Sequence, residues 1–86
     1  MNESVEFESS IPSHLSAGLA LQEMIIQRME PFAYSMRDIF AVRLSLEEGL
    51  TNAIRHGNHL NESKHVHVTC RIDHSMLHIS IRDEGD

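Results

Sequence analysis

The stretch EEGLTNAIRHGN, residues 47–58, decides how the rest of the sequence is interpreted. Glu48 and Asn52 stand four positions apart, and residues with that spacing lie on the same face of a helix. His56 continues the same line. The amide oxygen of an asparagine is a hard neutral ligand of the kind that Mg²⁺ accepts, and a carboxylate one turn away can take a proton from an attacking hydroxyl. The same spacing is also typical of the solvated polar face of an ordinary helix, so the stretch alone leaves two interpretations open.

The stretch forms the end of a helix that we predict over residues 36–57. Ser35 followed by Asp38 is typical of a helix start, because the hydroxyl accepts an unpaired backbone N–H and the carboxylate sits in the first turn. Gly57 and Asn58 are favourable residues for a helix end. One face of this helix is apolar and is expected to pack on the core. It carries Ile39, Val42, Leu46, Leu50 and Ala53.

Two predicted elements precede this helix. Val5 and Phe7 alternate with glutamates, which indicates a half-buried strand over residues 4–11. A first helix is predicted over residues 15–29, and Pro31 ends it, because the residue before a proline is pushed away from the helical conformation. The predicted apolar stripe of this helix comprises Leu15, Leu19, Leu21, Gln22, Ile25, Ile26 and Met29.

A β-hairpin is predicted after the second helix, from KHVHVTCRI (residues 64–72) and MLHISIRD (residues 76–83) around a DHS turn. Each strand alternates between an apolar face and a polar face. The apolar faces carry Val66, Val68, Cys70 and Ile72 in the first strand and Leu77, Ile79 and Ile81 in the second. The order β-α-α-β-β therefore predicts an α+β fold, a two-layer α/β sandwich with the helices on one face of the sheet.

Asp83 continues the apolar alternation of the last strand, so we expect its carboxylate on the buried, helix-facing side. A charge in that position is costly unless a partner compensates for it, and the exocyclic amino group of adenine is a suitable hydrogen-bond donor. Gly85 would let the backbone come close to such a ligand. A solvated turn formed by DEGD is the simpler alternative.

The overall composition narrows the class of protein. A chain of 86 residues forms at most one small domain. Its formal net charge of −6 argues against a nucleic-acid-binding protein, which needs a basic surface. Cys70 is the only cysteine, so no internal disulfide forms and a reducing cytoplasm is expected. The N-terminus lacks the features of a secretory signal, and no apolar run has the length of a membrane span, so we expect a cytoplasmic protein without membrane contact.

Two motifs together resemble those of a known family. EEGLTNAIRHGN resembles the N-box of the GHKL (Bergerat-fold) ATPase superfamily, in the form found in bacterial anti-sigma factor serine/threonine kinases. IRDEGD, residues 81–86, looks like the start of the D-x-G-x-G box of that superfamily. The resemblance covers essentially the whole chain. It implies that residues 1–86 form a single, incomplete Bergerat-type ATPase domain, because the second glycine of the box, the glycine-rich lid and the final strands are missing.

The resemblance also implies roles for individual residues. Glu48 would be the general base, Asn52 would be the Mg²⁺ ligand beside the ATP phosphates, Asp83 would bind the adenine amino group, and Gly85 would shape the pocket. The implied activity is that of an anti-sigma-factor-type kinase, which binds a sigma factor and phosphorylates an anti-anti-sigma (STAS-type) protein. Because the lid would cover the triphosphate, we expect these 86 residues alone to bind ATP poorly.

Three other interpretations are weighed against the kinase. The first is a non-catalytic docking module of the same fold. The second is the ATPase domain of a sensor histidine kinase, which needs a phospho-accepting helix upstream, where the predicted strand leaves no room. The third is a Zn²⁺ or Ni²⁺ site at His65 and His67, which share a strand face but match no standard ligand spacing. For the sheet, pairing with a second copy of the chain would cover an open edge, so a homodimer is a further expectation.

Overall fold

The computed structural model describes residues 4–85 and consists of two helices packed on one face of a three-stranded antiparallel sheet. The predicted α+β two-layer sandwich and the order β-α-α-β-β are confirmed. The elements are β1 (Ser4–Pro12), α1 (Leu15–Met29), α2 (Met36–Thr51), β2 (His65–Asp73) and β3 (Leu77–Arg82). A short 3₁₀ helix, Glu30–Phe32, separates the two helices, and a π-helical segment, Asn52–Gly57, continues α2. None of the helices in the described part of the chain is long and apolar enough to cross a membrane.

β2 is the central strand of the sheet and pairs with β1 on one side and β3 on the other. Phe7, Cys70 and Ile79 stand side by side across the three strands, so the apolar faces predicted for the strands coincide. Because neighbouring strands cover both flanks of β2, its helix-facing side chains are the most deeply buried in the sheet. These side chains are Val66, Val68, Cys70 and Ile72.

The buried face of α1 differs from the predicted stripe. Leu15 and Leu19 are 40% and 59% exposed, whereas the core side of the helix carries Gly18, Leu21, Gln22, Ile25 and Met29. The helix is apolar on two adjacent faces, so periodicity alone does not choose between them. The small residue Gly18 favours the observed choice, because it lets the helices approach until a Cβ at that position would lie 2.9 Å from Ile54 Cδ1.

The second helical stretch has the predicted bounds, 36–57, but its last turns are not α-helical. Ser35 Oγ accepts a hydrogen bond from the Asp38 N–H at 3.1 Å, which confirms the N-terminal cap. The last turns, Asn52–Gly57, widen into the π-helical segment, a change of helix type that the sequence pattern does not indicate. That segment closes with a bond from the Asn58 N–H to the Ala53 carbonyl at 2.8 Å. Each hydrogen bond of a π-helix spans one more residue than in an α-helix, and the widened turn carries Asn58 into the interior.

The Cys70 thiol provides a chemical test of this core. Burial raises the pKa of the Cys70 thiol from 9.0 to about 11, which lowers the thiolate fraction at about pH 8 by about 100-fold. We expect iodoacetamide to modify Cys70 at least about 100 times more slowly in the folded protein than in denaturant, since access is restricted as well. Mass spectrometry of labelled protein over time measures both rates. Equal rates in the two conditions would contradict the position of β2 in the centre of the core.

Candidate functional site

Glu48 and Asn52 lie on the solvent-exposed side of the second helix. The Asn52 N–H is shared between the carbonyls of Glu48 and Gly49, so an intact helical turn connects the two side chains. Within residues 4–85 neither side chain forms a hydrogen bond or an ion pair, and both are free to meet a ligand. Both line a shallow surface depression, together with Leu44, Glu47 and Thr51.

The helix that carries this pair packs on the edge strand β3. A Cβ at Gly49 would lie 2.9 Å from Ile81 Cδ1, so the helix and the strand are in close contact at this point. Asn52 lies five positions before Gly57, the last residue of the π-helical segment. At the α-helical rise of about 1.5 Å per residue, five positions span at most about 7.5 Å along the axis.

Asp83 and Gly85 lie where this helix ends. The Asp83 carboxylate is in contact with the Cα of Gly57, and Gly85 is in contact with the Gly57 carbonyl. A side chain at Gly57 would overlap the carboxylate, and one at Gly85 would overlap the carbonyl, so both positions require glycine. The Gly85 N–H also donates to Asp83 Oδ1 at 3.0 Å. The structure therefore brings all four predicted site residues to one edge of the helix–sheet sandwich.

The predicted burial of Asp83 is wrong. Its carboxylate faces the helix end, as the alternation along β3 indicated, but the residue is exposed. The physical reason is local. β3 ends at Arg82, and the neighbouring helix residue, Gly57, has no side chain to cover the carboxylate. Asp83 therefore bears little desolvation cost in the folded protein and presents its carboxylate to any ligand at this edge.

Asn58 is a structural residue of the site that the sequence analysis treated only as a helix end. It is 0% exposed. Its side-chain amide donates to Ser13 Oγ at 2.9 Å and to the His65 carbonyl at 3.0 Å. Its side-chain oxygen accepts the Glu84 N–H at 2.8 Å. One buried side chain thus joins the start of α1, the start of β2 and the segment that follows β3, with all three of these bonds formed at once.

Glu84 is the second residue that the sequence analysis missed. Its Oε1 accepts the His65 N–H at 2.9 Å, and its Oε2 lies 2.6 Å from His67 Nε2. The other ring nitrogen of His67 is hydrogen-bonded to Ser10 Oγ at 2.8 Å. These bonds lie on the face of the sheet that points away from the helices, so Glu84 is held from the opposite side to Asn58. Only a register assigned to both strands could have revealed this pairing.

The same contacts bear on the metal site considered for the strand histidines. In the described range, 4–85, no group of three or more histidine, cysteine, aspartate or glutamate side chains is arranged to hold a metal ion. His67 is instead hydrogen-bonded to Ser10 and Glu84. The structure therefore gives no support to a Zn²⁺ site at His65 and His67.

Comparison with known proteins identifies the family of the chain. Residues 12–86 match the family model described as histidine kinase-like ATPase domain, and the chain belongs to that family. The anti-sigma F factor of Oceanobacillus iheyensis is 32% identical to this chain over 83 residues. The match covers 95% of this chain and 53% of that protein, so the chain spans about half the length of this curated relative. The resemblance to the GHKL superfamily and to its anti-sigma kinases is confirmed at the level of the family.

The Asn58 amide generates a prediction about stability. Replacing Asn58 with Ala leaves the Glu84 N–H and the His65 carbonyl without their partner, and we expect a loss of about 2–4 kcal/mol in the free energy of unfolding. Asn61→Ala is the matched control, because Asn61 is exposed and bonds only within its own turn. Its expected cost is below about 1 kcal/mol. Urea denaturation of the two variants compares these values, and equal costs would contradict the bridging role of Asn58.

A second prediction concerns pH. The hydrogen bond from the His65 N–H, followed by the bond to His67, lowers the pKa of the Glu84 carboxyl below its ordinary value of 4.5. A lowered pKa contributes stability that is present above the unfolded-state value and is lost as the pH falls through the folded-state value. Wild type should therefore lose stability relative to Glu84→Gln as the pH falls below about 4.5. Urea denaturation at several pH values measures this difference, and parallel curves down to about pH 3 would contradict the assignment.

Proposed function

We propose that this chain carries the nucleotide-binding part of an anti-sigma-factor-type serine/threonine protein kinase. The observation that carries the proposal is the common edge formed by Glu48 and Asn52 on one helical turn and by Asp83 and Gly85 at the end of the same helix. Membership of a histidine kinase-like ATPase family and similarity to an anti-sigma F factor support the proposal.

Asp83 is proposed to bind the adenine end of ATP. Its exposed carboxylate accepts the Gly85 N–H and forms no ion pair among the described residues. The exocyclic amino group of adenine is the complementary donor, and a hydrogen bond to a charged acceptor is about twice as strong as one between neutral groups. The glycines at positions 57 and 85 let this segment pack directly against the end of the helix.

Asn52 is proposed to bind the phosphate end through Mg²⁺. Its amide oxygen is a hard neutral donor, it is exposed, and no cluster of three ionisable ligands exists in residues 4–85. This fits an ion that takes one oxygen from the protein and the others from phosphates and water. When bound, Mg²⁺ would neutralise charge on the β- and γ-phosphates.

Glu48 is proposed as the general base. Its carboxylate would accept the proton of a serine or threonine hydroxyl on the protein substrate while the hydroxyl oxygen forms a bond to the γ-phosphorus. The bond between that phosphorus and the β–γ bridging oxygen breaks, and ADP leaves with the electron pair. The exposed position of Glu48 at the surface depression leaves access for a protein substrate.

The partners are proposed from the class of the relative. The protein that shares 32% identity is an anti-sigma F factor, and we infer that a sigma factor and an anti-anti-sigma protein are the two protein partners of this chain. The phosphorylated residue would lie on the anti-anti-sigma protein. Both edge strands, β1 and β3, have an open side in the described sheet, so a homodimer stays a prediction.

The general base is tested by Glu48→Gln in the full-length protein. We expect phosphate transfer from radiolabelled ATP to the anti-anti-sigma protein to fall about 100- to 10,000-fold, because the hydroxyl keeps its proton. ATP affinity, measured by calorimetry, should change little. Glu47→Gln is the control, since Glu47 is the exposed neighbour of Glu48 on the same turn. Undiminished transfer by Glu48→Gln would remove Glu48 from the mechanism.

The two nucleotide contacts are tested by Asn52→Ala and Asp83→Asn. We expect each to weaken ATP binding about 10- to 100-fold, which corresponds to the loss of one charge-assisted or metal-mediated contact. Asp38→Asn is the control for the second change, because Asp38 is exposed at the far end of the same helix. Unchanged ATP affinity in either variant would remove that residue from the proposed nucleotide site.

A further inference from the structure

We propose that Glu84 and Asn58 are positioning residues for the adenine-binding carboxylate of Asp83. The inference rests on the proposed function, and it adds to it a device that sets the preference for adenine. Neither residue would touch the nucleotide. Both would act by fixing the backbone from which the Asp83 side chain projects.

The segment that holds Asp83 lies outside the regular pairing of the sheet. β3 ends at Arg82, which stands opposite His67 in the last paired position between β2 and β3. Beyond that position no backbone ladder holds residues 83–85. A carboxylate on an unheld segment would sample many orientations, and a ligand would have to restrict them at an entropic cost.

Two side chains replace the missing ladder from opposite sides. On the helix side, Asn58 Oδ1 accepts the Glu84 N–H at 2.8 Å. On the outer side, the Glu84 carboxylate accepts the His65 N–H at 2.9 Å and is bonded to His67 at 2.6 Å. The peptide next to Asp83 is therefore held between a buried amide and the central strand.

The orientation of the Asn58 amide is fixed by its own partners. Its NH₂ group faces two acceptors, Ser13 Oγ and the His65 carbonyl. A rotation of the amide by half a turn would direct its oxygen at the His65 carbonyl and leave the Glu84 N–H facing a donor. Because Asn58 is fully buried, water does not compensate for such a rotation. The acceptor for the Glu84 N–H therefore stays in one place.

These contacts hold the Asp83 carboxylate in a single orientation. With Glu84 held, one carboxylate oxygen of Asp83 accepts the Gly85 N–H at 3.0 Å and the other lies against Gly57. An amino group at the six position of a purine can donate to this carboxylate. Hypoxanthine carries a carbonyl oxygen at that position and would face the carboxylate with another acceptor. A site built to bond an N–H strongly rejects the analogue that lacks it, provided that the site is rigid.

The test compares MgATP and MgITP binding to the full-length protein by calorimetry. Glu84→Ala should weaken ATP binding about tenfold and leave ITP binding nearly unchanged, so the ATP/ITP affinity ratio also falls about tenfold. Glu84→Gln should restore most of the ratio, because its amide can still accept the His65 N–H and donate to His67. Glu8→Ala, an exposed glutamate on the outer face of β1, is the matched control and should leave the ratio unchanged.

A double substitution separates positioning from general stability. In an Asp83→Asn background, Glu84→Ala should have no further effect on the affinity ratio, because the group that it positions has already been changed. Equal losses for ATP and ITP in Glu84→Ala, or an unchanged ratio with only a lower melting temperature, would overturn the positioning role. If wild type prefers ATP and Asp83→Asn abolishes that preference while Glu84→Ala does not, the inference fails and the proposed function stands. If wild type binds neither nucleotide, both are overturned.

Discussion

The geometry of this protein depends on the hydrogen bonds of the Asn58 side-chain amide. It is buried, and it bonds three segments that are distant in sequence: the start of α1, the start of β2 and the segment after β3. A buried polar group with every partner in place specifies one arrangement, whereas the same group with a partner missing is costly. The bonds of Asn58 therefore add directional contacts between the helix layer and the sheet to the apolar packing of the core, which is far less directional.

The side chains that we propose to carry the chemistry lie outside this rigid frame. Glu48, Asn52 and Asp83 are all exposed, and each projects from backbone that is held by helical bonds or by the contacts of Asn58 and Glu84. Exposed side chains on a fixed backbone remain accessible to a ligand without losing their mutual spacing. Preorganisation of this kind reduces the cost of restricting reacting groups when a ligand binds.

Local patterns in the sequence predicted the elements well, because periodicity and capping act over a few residues. The first helix has the bounds that the pattern indicated, and Ser35 caps the second helix as predicted. The alternation along β3 also gave the correct direction for Asp83. The prediction that Asp83 is buried was wrong, because burial depends on the side chains that cover a residue. The neighbouring residue of the helix is Gly57, which has no side chain to cover Asp83.

The residues that were missed are those whose partners are distant in sequence. Asn58 next to Gly57 has the ordinary composition of a helix end, and nothing in the neighbouring letters indicates that the chain widens into a π-helical segment and turns Asn58 inward. Glu84 likewise lies in an acidic run, and its role becomes visible only from its contacts with His65 and His67 of β2. The buried face of α1 was not predicted for the same reason. It depends on the close approach, at Gly18, of residues that are distant in sequence.

The sheet order has a consequence for how the chain acquires its structure. β1 pairs only with β2 in the described sheet, and its nearest pairing, Pro12 with His65, spans 53 positions. During synthesis the N-terminal strand therefore leaves the ribosome long before its partner exists, while both helices can form from local contacts. Val5 and Phe7 therefore remain exposed on an unpaired strand until the β2–β3 hairpin has been synthesised. The alternating glutamates, Glu6 and Glu8, place charges on β1 while it is unpaired and oppose its pairing with other chains.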